Sequence, residues 1–202
     1  MPIKVTILDY RCGNIFNLVN AVREIGLCPH VATHHQEIKS PDVIILGGVG
    51  AFDYGMQNIK SCGFKNKIIE LINSKTKIIG ICLGAQLMLT DGEEFKKTKG
   101  LNFVKGHCTS LKKLAGKIPA TGWYQVSTQE SLKFREFNKN FFYFNHSYHM
   151  LIDKRCAVQS TYTYYQKNIC ACFENKNLIG FQFHPEKSGT TGLKILKKAI
   201  YQ

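Results

Sequence analysis

The chain contains 202 residues, of which 44% are hydrophobic. This length allows one well-filled core but is too short for two ordinary domains. Its 27 basic and 14 acidic side chains give a net charge of +13, yet the lysines are dispersed, so we expect a basic surface suited to an acidic protein partner rather than a nucleic-acid interface. No apolar run approaches the ~20 residues of a membrane span and no signal-peptide pattern is present, so we expect a cytoplasmic protein that does not associate with a membrane.

The N-terminal half alternates strand and helix patterns. After the first strand, apolar residues recur at helical spacing, at Ile15, Leu18, Val19, Val22 and Ile25. Such alternation predicts an α/β fold with a central, mostly parallel sheet, helices on both faces, and functional residues at the carboxyl ends of the strands. The predicted elements are strands at 3–9, 28–33, 43–46 and 77–81, helices at 14–26 and 84–90, and helical segments within 56–74.

The C-terminal half is richer in aromatic and β-branched residues, which favours additional antiparallel strands. We expect strands at 101–111, 122–127, 141–145, 156–162, 169–174 and 178–183, surface connections at 96–99 and 128–140, and an amphipathic helix at 191–201. No internal repeat or linker divides the chain, so a single domain spanning residues 1–202 is predicted.

Cys82 lies where an apolar strand pattern changes into a helix-forming run. Gly80 and Gly84 stand two residues before and after it, which is typical of a nucleophile on a sharp strand-to-helix turn. Such a turn lifts the side chain from the sheet and places it at a helix N-terminus, whose partial positive charge favours a thiolate. We predict a nucleophilic cysteine; the alternative reading of this motif is a buried structural cysteine at a tight turn.

A second motif, His184-Pro185-Glu186, follows the last predicted strand. Proline favours extended geometry in the residue before it, so Glu186 can reach one ring nitrogen of His184 and leave the other for the sulfur. Cys82, His184 and Glu186 are therefore predicted to be nucleophile, base and orienting carboxylate. Alone, this tripeptide is more typical of a solvated loop; the cysteine turn upstream favours the triad.

Together these motifs resemble the class I (triad) glutamine amidotransferases, and within them the glutaminase subunits of imidazole glycerol phosphate synthase from histidine biosynthesis. The similarity runs along the whole chain. It includes Asp9-Tyr10 with Gly13-Asn14, the Gly47–Phe52 loop, Gly122-Trp123, residues 143–148 and Glu186-Lys187-Ser188. The resemblance implies a flavodoxin-like amidotransferase fold and the hydrolysis of L-glutamine to glutamate and ammonia through a cysteinyl thioester. We expect neither a cofactor nor a metal.

An oxyanion hole is also required, because the tetrahedral intermediate carries a negative oxygen. We expect one donor at the backbone N–H of Leu83 and another in the loop at Val49 and Gly50, which by resemblance changes conformation when the partner activates the enzyme. The resemblance further implies contacts to the substrate glutamine from Gln86, Gly50 and the backbone around Ser147 and Tyr148.

The ammonia must reach an acceptor, and the resemblance supplies a (β/α)₈-barrel synthase subunit that forms a heterodimer with this chain. It places Asn14, Gly122 and Trp123 at the subunit interface, beside the ammonia exit. An exposed tryptophan is often a binding anchor, although a tryptophan in the core is the commoner case.

Three segments depart from the family pattern. A glycine replaces the proline that usually precedes Gly-Val-Gly, Arg11-Cys12 replaces small residues or methionine, and 119–123 lacks the usual histidine. These changes favour the same glutaminase chemistry with an altered partner. Two ammonia acceptors therefore stay open: the precursor of imidazole glycerol phosphate, and a surface-polysaccharide sugar amidinated by a paralogous enzyme.

Other classes of function are less well supported. The eight cysteines have no regular spacing, and Cys170 and Cys172 lack a second ligand pair, so we predict neither a disulfide framework nor a metal site. A hydrolase of the same fold could use Cys82 on another substrate, but Gln86 and the complete triad favour glutamine. A catalytically silent nucleic-acid-binding protein would rest on charge alone.

Overall fold

The computed structural model describes residues 2–114 and 116–202. The helices are α1 (Ile15–Glu24), α2 (Phe52–Ser61), α3 (Phe64–Asn73), α4 (Leu83–Leu87) and α5 (Gly189–Tyr201). The strands are β1 (Val5–Leu8), β2 (His30–Ala32), β3 (Val43–Gly48), β4 (Lys77–Cys82), β5 (Leu89–Gly92), β6 (Thr98–Lys99), β7 (Val104–Ser110), β8 (Ala120–Ser127), β9 (Phe141–His146), β10 (Tyr148–Ile152), β11 (Val158–Tyr164), β12 (Lys167–Asn175) and β13 (Leu178–Phe181). Within the described residues, no helix combines the length and the apolar content needed to cross a bilayer.

One large sheet organises the molecule. Counted over the described ranges, it has nine strands in the order β2-β1-β3-β4-β13-β12-β11-β8-β9. Neighbours from β2 to β13 are parallel, and neighbours from β13 to β9 are antiparallel. The predicted α/β class, with antiparallel strands added by the C-terminal half, is confirmed.

Helices cover both faces of the parallel part, as predicted. Ile44 and Ile45 are consecutive in β3 but belong to different buried clusters, because side chains of a strand alternate between the two faces of a sheet. One cluster holds the buried sides of α1 and α5, and the other holds those of α2, α3 and α4. Asn14 starts α1, since its side-chain Oδ1 accepts a hydrogen bond from the backbone N–H of Asn17 at 3.2 Å.

A second sheet, with the order β10-β7-β5-β6, was not among the predicted features. Its presence corrects the helix predicted at 84–90, because α4 ends at Leu87 and β5 begins at Leu89. The carbonyl groups of Leu87 and Met88 accept hydrogen bonds from the backbone N–H groups of Leu101 (2.8 Å) and Phe103 (2.9 Å). These long-range bonds outweigh the local helix propensity of the segment.

The sheet order places three carboxyl ends side by side. β4 lies between β3 and β13, with Cys82 opposite Gly48 and Ile81 opposite Phe181. Segments that leave these three strands therefore meet at one edge of the sheet, where the active sites of open α/β folds are found. This register brings the Gly48–Gly50 loop, Cys82 and His184 to one region.

The packing of α5 gives a test of the fold. Leu196 is fully buried in the cluster beneath this helix, whereas Lys194 on the same helix is exposed. We expect Leu196→Ala to lower the free energy of unfolding by ~2–5 kcal/mol, because it leaves a cavity, and Lys194→Ala to change it by less than ~0.5 kcal/mol. Urea unfolding followed by circular dichroism measures both; equal, small effects would contradict this packing.

Candidate active site

The turn at Cys82 has the geometry of a nucleophile elbow. Cys82 has φ 52° and ψ −110°, a strained conformation for a residue with a side chain, and α4 begins at the next residue. A Cβ atom at Gly84 would overlap the carbonyl oxygen of Leu46, and one at Gly80 would lie 2.7 Å from the backbone nitrogen of Ala85. The two glycines are therefore required by close backbone contacts, and these contacts hold the cysteine in place.

The Cys82 side chain is 5% exposed and lies between two polar groups. Its Sγ is 4.0 Å from the carbonyl oxygen of Asn145, to which a thiol can donate. Its Sγ is also 3.9 Å from Nε2 of Gln182, which donates to the sulfur. The sulfur is thus held within a polar, nearly water-free environment.

His184 and Glu186 form a buried pair. His184 Nδ1 lies 2.8 Å from Glu186 Oε1, and the side chains are 2% and 8% exposed. A 3₁₀ turn at Pro185–Lys187 returns Glu186 towards the imidazole. The backbone N–H of His184 donates to the carbonyl of Tyr143 at 2.9 Å, and its carbonyl accepts from Ser188 Oγ at 2.6 Å. The histidine is therefore fixed at both its backbone and its ring.

The second ring nitrogen of His184 is available for the sulfur. In residues 2–114 and 116–202, no group makes a well-formed hydrogen bond to the buried Nε2 atom. Burial opposes a charge on the ring, but the adjacent Cys82 sulfur and the Glu186 carboxylate outweigh it and raise the pKa of His184 to about 10. The structure thus brings Cys82, His184 and Glu186 together in an arrangement that favours the imidazolium form of His184 beside the sulfur.

A cavity of about 380 Å³ opens in front of the sulfur. It contains most of the residues predicted to bind glutamine or the oxyanion. It is lined by Val49, Gly50, Ala51, Cys82, Leu83, Gln86, Glu94, Pro119, Asn145, His146, Ser147 and Tyr148. The loop after β3, the elbow and the segment before β10 therefore enclose one site.

The orientation of Gln86 follows from its hydrogen bonds. Its Nε2 donates to the carbonyl oxygen of Tyr148 at 2.8 Å and to Oε1 of Gln182 at 3.1 Å. A backbone carbonyl can only accept, so the amide nitrogen of Gln86 must face Tyr148. Both amide hydrogens are then occupied, and Gln86 offers the cavity an acceptor oxygen.

Glu94 is a cavity residue that the sequence did not indicate. Its Oε2 accepts a hydrogen bond from the backbone N–H of Phe52, at the start of α2, at 2.9 Å. Burial raises the pKa of Glu94, although this N–H opposes the effect. In the sequence Glu94 follows Glu93 and precedes Phe95 and two lysines, a charged pattern typical of a solvated loop, so no local signal could have identified it.

Two buried histidines flank Tyr148 on either side. His146 Nδ1 donates to the Tyr148 carbonyl oxygen at 2.7 Å, and its Nε2 accepts from the hydroxyl of Tyr162 at 2.7 Å. Burial is the main reason why the pKa of His146 falls to about 3 and that of His149 to about 4. Both rings are therefore neutral at physiological pH, and His146 locks the backbone of the cavity wall.

The residues predicted at the partner interface lie beside the triad. Asn14 lines a small cavity together with His184, Glu186 and Gly48. Trp123 is 54% exposed on β8, which settles its placement in favour of the surface. Its ring contacts Tyr143 edge-on at 6.1 Å between ring centroids, and Tyr143 in turn lies 6.4 Å from the ring of His184.

The other cysteines and histidines form no comparable cluster. Within the described ranges, no group of three or more His, Cys, Asp or Glu side chains has an arrangement that could hold a metal ion. Cys170 and Cys172 are buried in β12, and burial raises the pKa of Cys170 to about 12. Such thiols stay protonated and pack as small apolar groups.

Comparison with known proteins shows the family to which the chain belongs. The model of the family "Glutamine amidotransferase class-I" matches residues 6–202. The chain therefore belongs to the class-I glutamine amidotransferases and is an enzyme of that type, which confirms the predicted family and fold.

Curated relatives that share one name are similar to this chain over almost its whole length. The chain is 36% identical to "Imidazole glycerol phosphate synthase subunit HisH" of Chlorobium chlorochromatii, over 95% of this chain and 96% of that protein. It is 34% identical to the protein of the same name from Methanocaldococcus jannaschii, over 97% and 98% of the two chains. Among solved structures, PurLQS from Thermotoga maritima has a TM-score of 0.76 at 18% identity, covering 99% of this chain and 98% of that one, which shows the shared fold.

The neutral histidines predict acid-sensitive stability. Unfolding exposes His146 and restores its ordinary pKa of 6.5, whereas in the folded chain this pKa is about 3. Between these two pH values the unfolded chain therefore binds a proton that the folded chain does not. Stability is therefore present above pH 6.5 and is lost as the pH falls towards 3, by up to ~1.4 kcal/mol per pH unit for this one residue. We expect the slope of the unfolding free energy against pH, measured between pH 7 and 4, to be smaller in His146→Asn than in the wild type by ~1.4 kcal/mol per pH unit, which corresponds to one bound proton. An unchanged slope would contradict the assignment.

Proposed function

We propose that this chain is the glutaminase subunit of a two-subunit synthase, which hydrolyses L-glutamine and passes the ammonia to a (β/α)₈-barrel partner. The observation that carries the proposal is the cavity lined by Cys82, Gln86 and Glu94. It places the nucleophilic sulfur in the same cavity as two hydrogen-bond acceptors, which suit the α-ammonium group of an amino acid. The name shared by the curated relatives supports imidazole glycerol phosphate synthesis as the pathway.

In this mechanism the Cys82 thiolate attacks the side-chain carbonyl carbon of glutamine. The negative oxygen of the tetrahedral intermediate is stabilised by the backbone N–H of Leu83 and by the loop at Val49 and Gly50. When the intermediate collapses, the carbon–nitrogen bond breaks and the His184 imidazolium gives its proton to the leaving nitrogen. This step releases ammonia and leaves a γ-glutamyl thioester on Cys82.

Water completes the cycle. Neutral His184 removes a proton from water, and the resulting hydroxide attacks the thioester carbon. The carbon–sulfur bond breaks, glutamate leaves, and the Cys82 thiolate forms again beside the His184 imidazolium. Glu186 keeps Nδ1 protonated throughout, and its charge explains why the imidazolium is stable in a buried position.

The substrate is held by polar groups that line the cavity. The carboxylate of Glu94 and the Oε1 atom of Gln86 accept hydrogen bonds from the α-ammonium group of glutamine. Gly50 and the backbone at Ser147 and Tyr148 form the remaining wall, which the bonds from Gln86 and His146 to the Tyr148 carbonyl keep rigid. A pre-formed wall lowers the entropy cost of binding.

Ammonia leaves through the face that carries Asn14, Gly122 and Trp123. Exposed apolar side chains accompany these residues: Phe16 (70% exposed) lies two residues after Asn14, Trp123 is 54% exposed, and Val49 (42%) lines the small cavity that Asn14 also lines. Val49 also belongs to the proposed oxyanion loop, so a subunit docked on this face contacts the loop directly. The positive charge of the chain favours an acidic surface on that partner.

One local feature keeps the second acceptor, a surface-polysaccharide sugar, under consideration. A Cβ atom at Gly48 would overlap the hydroxyl of Tyr10, so this position of the oxyanion loop requires glycine while Tyr10 keeps its place. The loop thus packs against Tyr10, which precedes Arg11-Cys12, a segment in which this chain departs from the family pattern. Identification of the barrel subunit that co-purifies with the chain distinguishes the acceptors: a barrel that uses a nucleotide-derived phosphate substrate supports histidine biosynthesis, and one that uses a sugar nucleotide supports amidination.

Substitution of the nucleophile tests the division of labour. In the complex, Cys82→Ala should reduce glutamine-dependent synthesis by on the order of 10³ or more, because no thioester can form. Synthesis from added ammonium chloride should stay close to the wild-type rate, since the partner site is intact. Cys28→Ala, which changes an exposed cysteine, is the control. Loss of both activities together in a folded Cys82→Ala complex would overturn the proposal.

The role of Glu94 is tested against its neighbour. Glu94→Gln removes the charge that pairs with the α-ammonium group, so KM for glutamine should rise about tenfold to a hundredfold with little change in kcat. Glu93 bonds instead to Thr109 and Lys113, so Glu93→Gln should leave KM almost unchanged. Steady-state kinetics of the complex measure both; equal effects of the two variants would show that Glu94 does not contact substrate.

A further inference from the structure

Gln182 is a fully buried polar residue to which the proposed mechanism assigns no role. It lies one residue beyond β13, and its backbone N–H still pairs with the carbonyl of Ala171 at 2.8 Å. Residues two apart in an extended segment point the same way, so Gln182 and His184 face Cys82 while Phe181 and Phe183 enter the core. A buried amide at this place needs partners, because an unpaired polar group is costly to bury.

Its orientation is fixed by a chain of hydrogen bonds that starts at a group of known polarity. The carbonyl of Tyr148 can only accept, so Gln86 presents its amide nitrogen there, at 2.8 Å. The same nitrogen lies 3.1 Å from the end of the Gln182 side-chain amide. Because this nitrogen donates, the atom of Gln182 that faces it must be the acceptor, Oε1. The amide nitrogen of Gln182 is then left to point at the sulfur of Cys82, at 3.9 Å.

The two polar neighbours of the sulfur favour opposite protonation states. The carbonyl oxygen of Asn145, 4.0 Å away, can only accept and so favours a thiol. The amide N–H of Gln182 can only donate and so favours a thiolate, because a hydrogen bond is stronger when its acceptor is charged. The imidazolium of His184 is also adjacent to the sulfur. Two groups, this ring and the Gln182 amide, therefore favour the thiolate, and one, the Asn145 carbonyl, favours the thiol.

We propose that Gln182 is a positioning residue that acts through Cys82: its amide N–H holds the sulfur as a thiolate, and Gln86 keeps that N–H pointed at the sulfur. The inference rests on the proposed function in taking Cys82 as the nucleophile. It adds a buried link between the glutamine cavity and the nucleophile, since Gln86 lines the cavity and bonds to Gln182, which in turn contacts the sulfur.

The test is the pH dependence of alkylation of Cys82 by iodoacetamide in the isolated chain, read by mass spectrometry of the peptide that contains this cysteine. In Gln182→Met, which keeps the volume but removes the donor, the pH at half-maximal rate should rise by about one unit, because a tenfold loss of thiolate corresponds to one unit. Gln182→Leu, which also removes the donor and adds no charge, should shift in the same direction and replaces Gln182→Met if that variant does not fold.

The control is Gln159→Met, which removes another amide, one that donates to the carbonyl of Ile152 at 3.3 Å and lies outside the cavity. Its profile should match the wild type. The titratable groups that act on Cys82 are the same in all variants: His184, Tyr10, Cys108 and Tyr162. A wild-type profile in a Gln182 variant that unfolds cooperatively would overturn the inference.

Failure of this inference is distinct from failure of the proposed function. Alkylation needs neither glutamine nor a partner, so it reports on the sulfur alone. If Gln182 has no role, the profile is unchanged while the complex still uses glutamine. If the chain is not a glutaminase, the wild-type complex does not use glutamine, whatever the alkylation profile.

Discussion

The close contact between β4, the helix that follows it and the neighbouring strand β3 is the constraint on which the rest of the site depends. With glycine at 80 and 84, the backbone turns sharply enough to hold Cys82 at a positive φ and still pack against Leu46 and Ala85. Strain of this kind persists only where the surrounding structure enforces it. Because β13 lies next to β4 in parallel register, the same packing sets the position of His184 although about a hundred residues separate it from the cysteine.

Around this elbow, several buried polar groups are joined by hydrogen bonds. A continuous path of hydrogen bonds runs from Tyr162 through His146, the Tyr148 carbonyl, Gln86 and Gln182 to the sulfur. Such networks give a rigid site when all members are satisfied. In the described part of the chain, atoms without a partner include Nε2 of His184 and Oε2 of Glu186. Unpaired buried atoms at the triad itself are expected where a protein keeps groups free for a reaction.

Local patterns in the sequence predicted the features that depend on local geometry. The glycines flanking Cys82 and the tripeptide at His184 indicated an elbow and a histidine oriented by a carboxylate, and strand–helix alternation indicated the parallel sheet. The second sheet and Glu94 depend instead on contacts between distant segments. Helix α4 ends early because residues 101–104 bond to its last carbonyl groups, and Glu94 enters the cavity because α2 begins beside it. Gln182 was part of a strand pattern, and only the orientation of Tyr148 revealed where its amide points.

The most direct measurement of the central claim is labelling of the chain, in complex with its partner, by a diazo-ketone analogue of glutamine, with the modified residue located by mass spectrometry. This account predicts that Cys82 is the residue labelled, that L-glutamine protects it, and that glutamate at the same concentration protects it less. Labelling of Cys82 that is indifferent to glutamine, or labelling that falls on the other cysteines instead, would contradict the account.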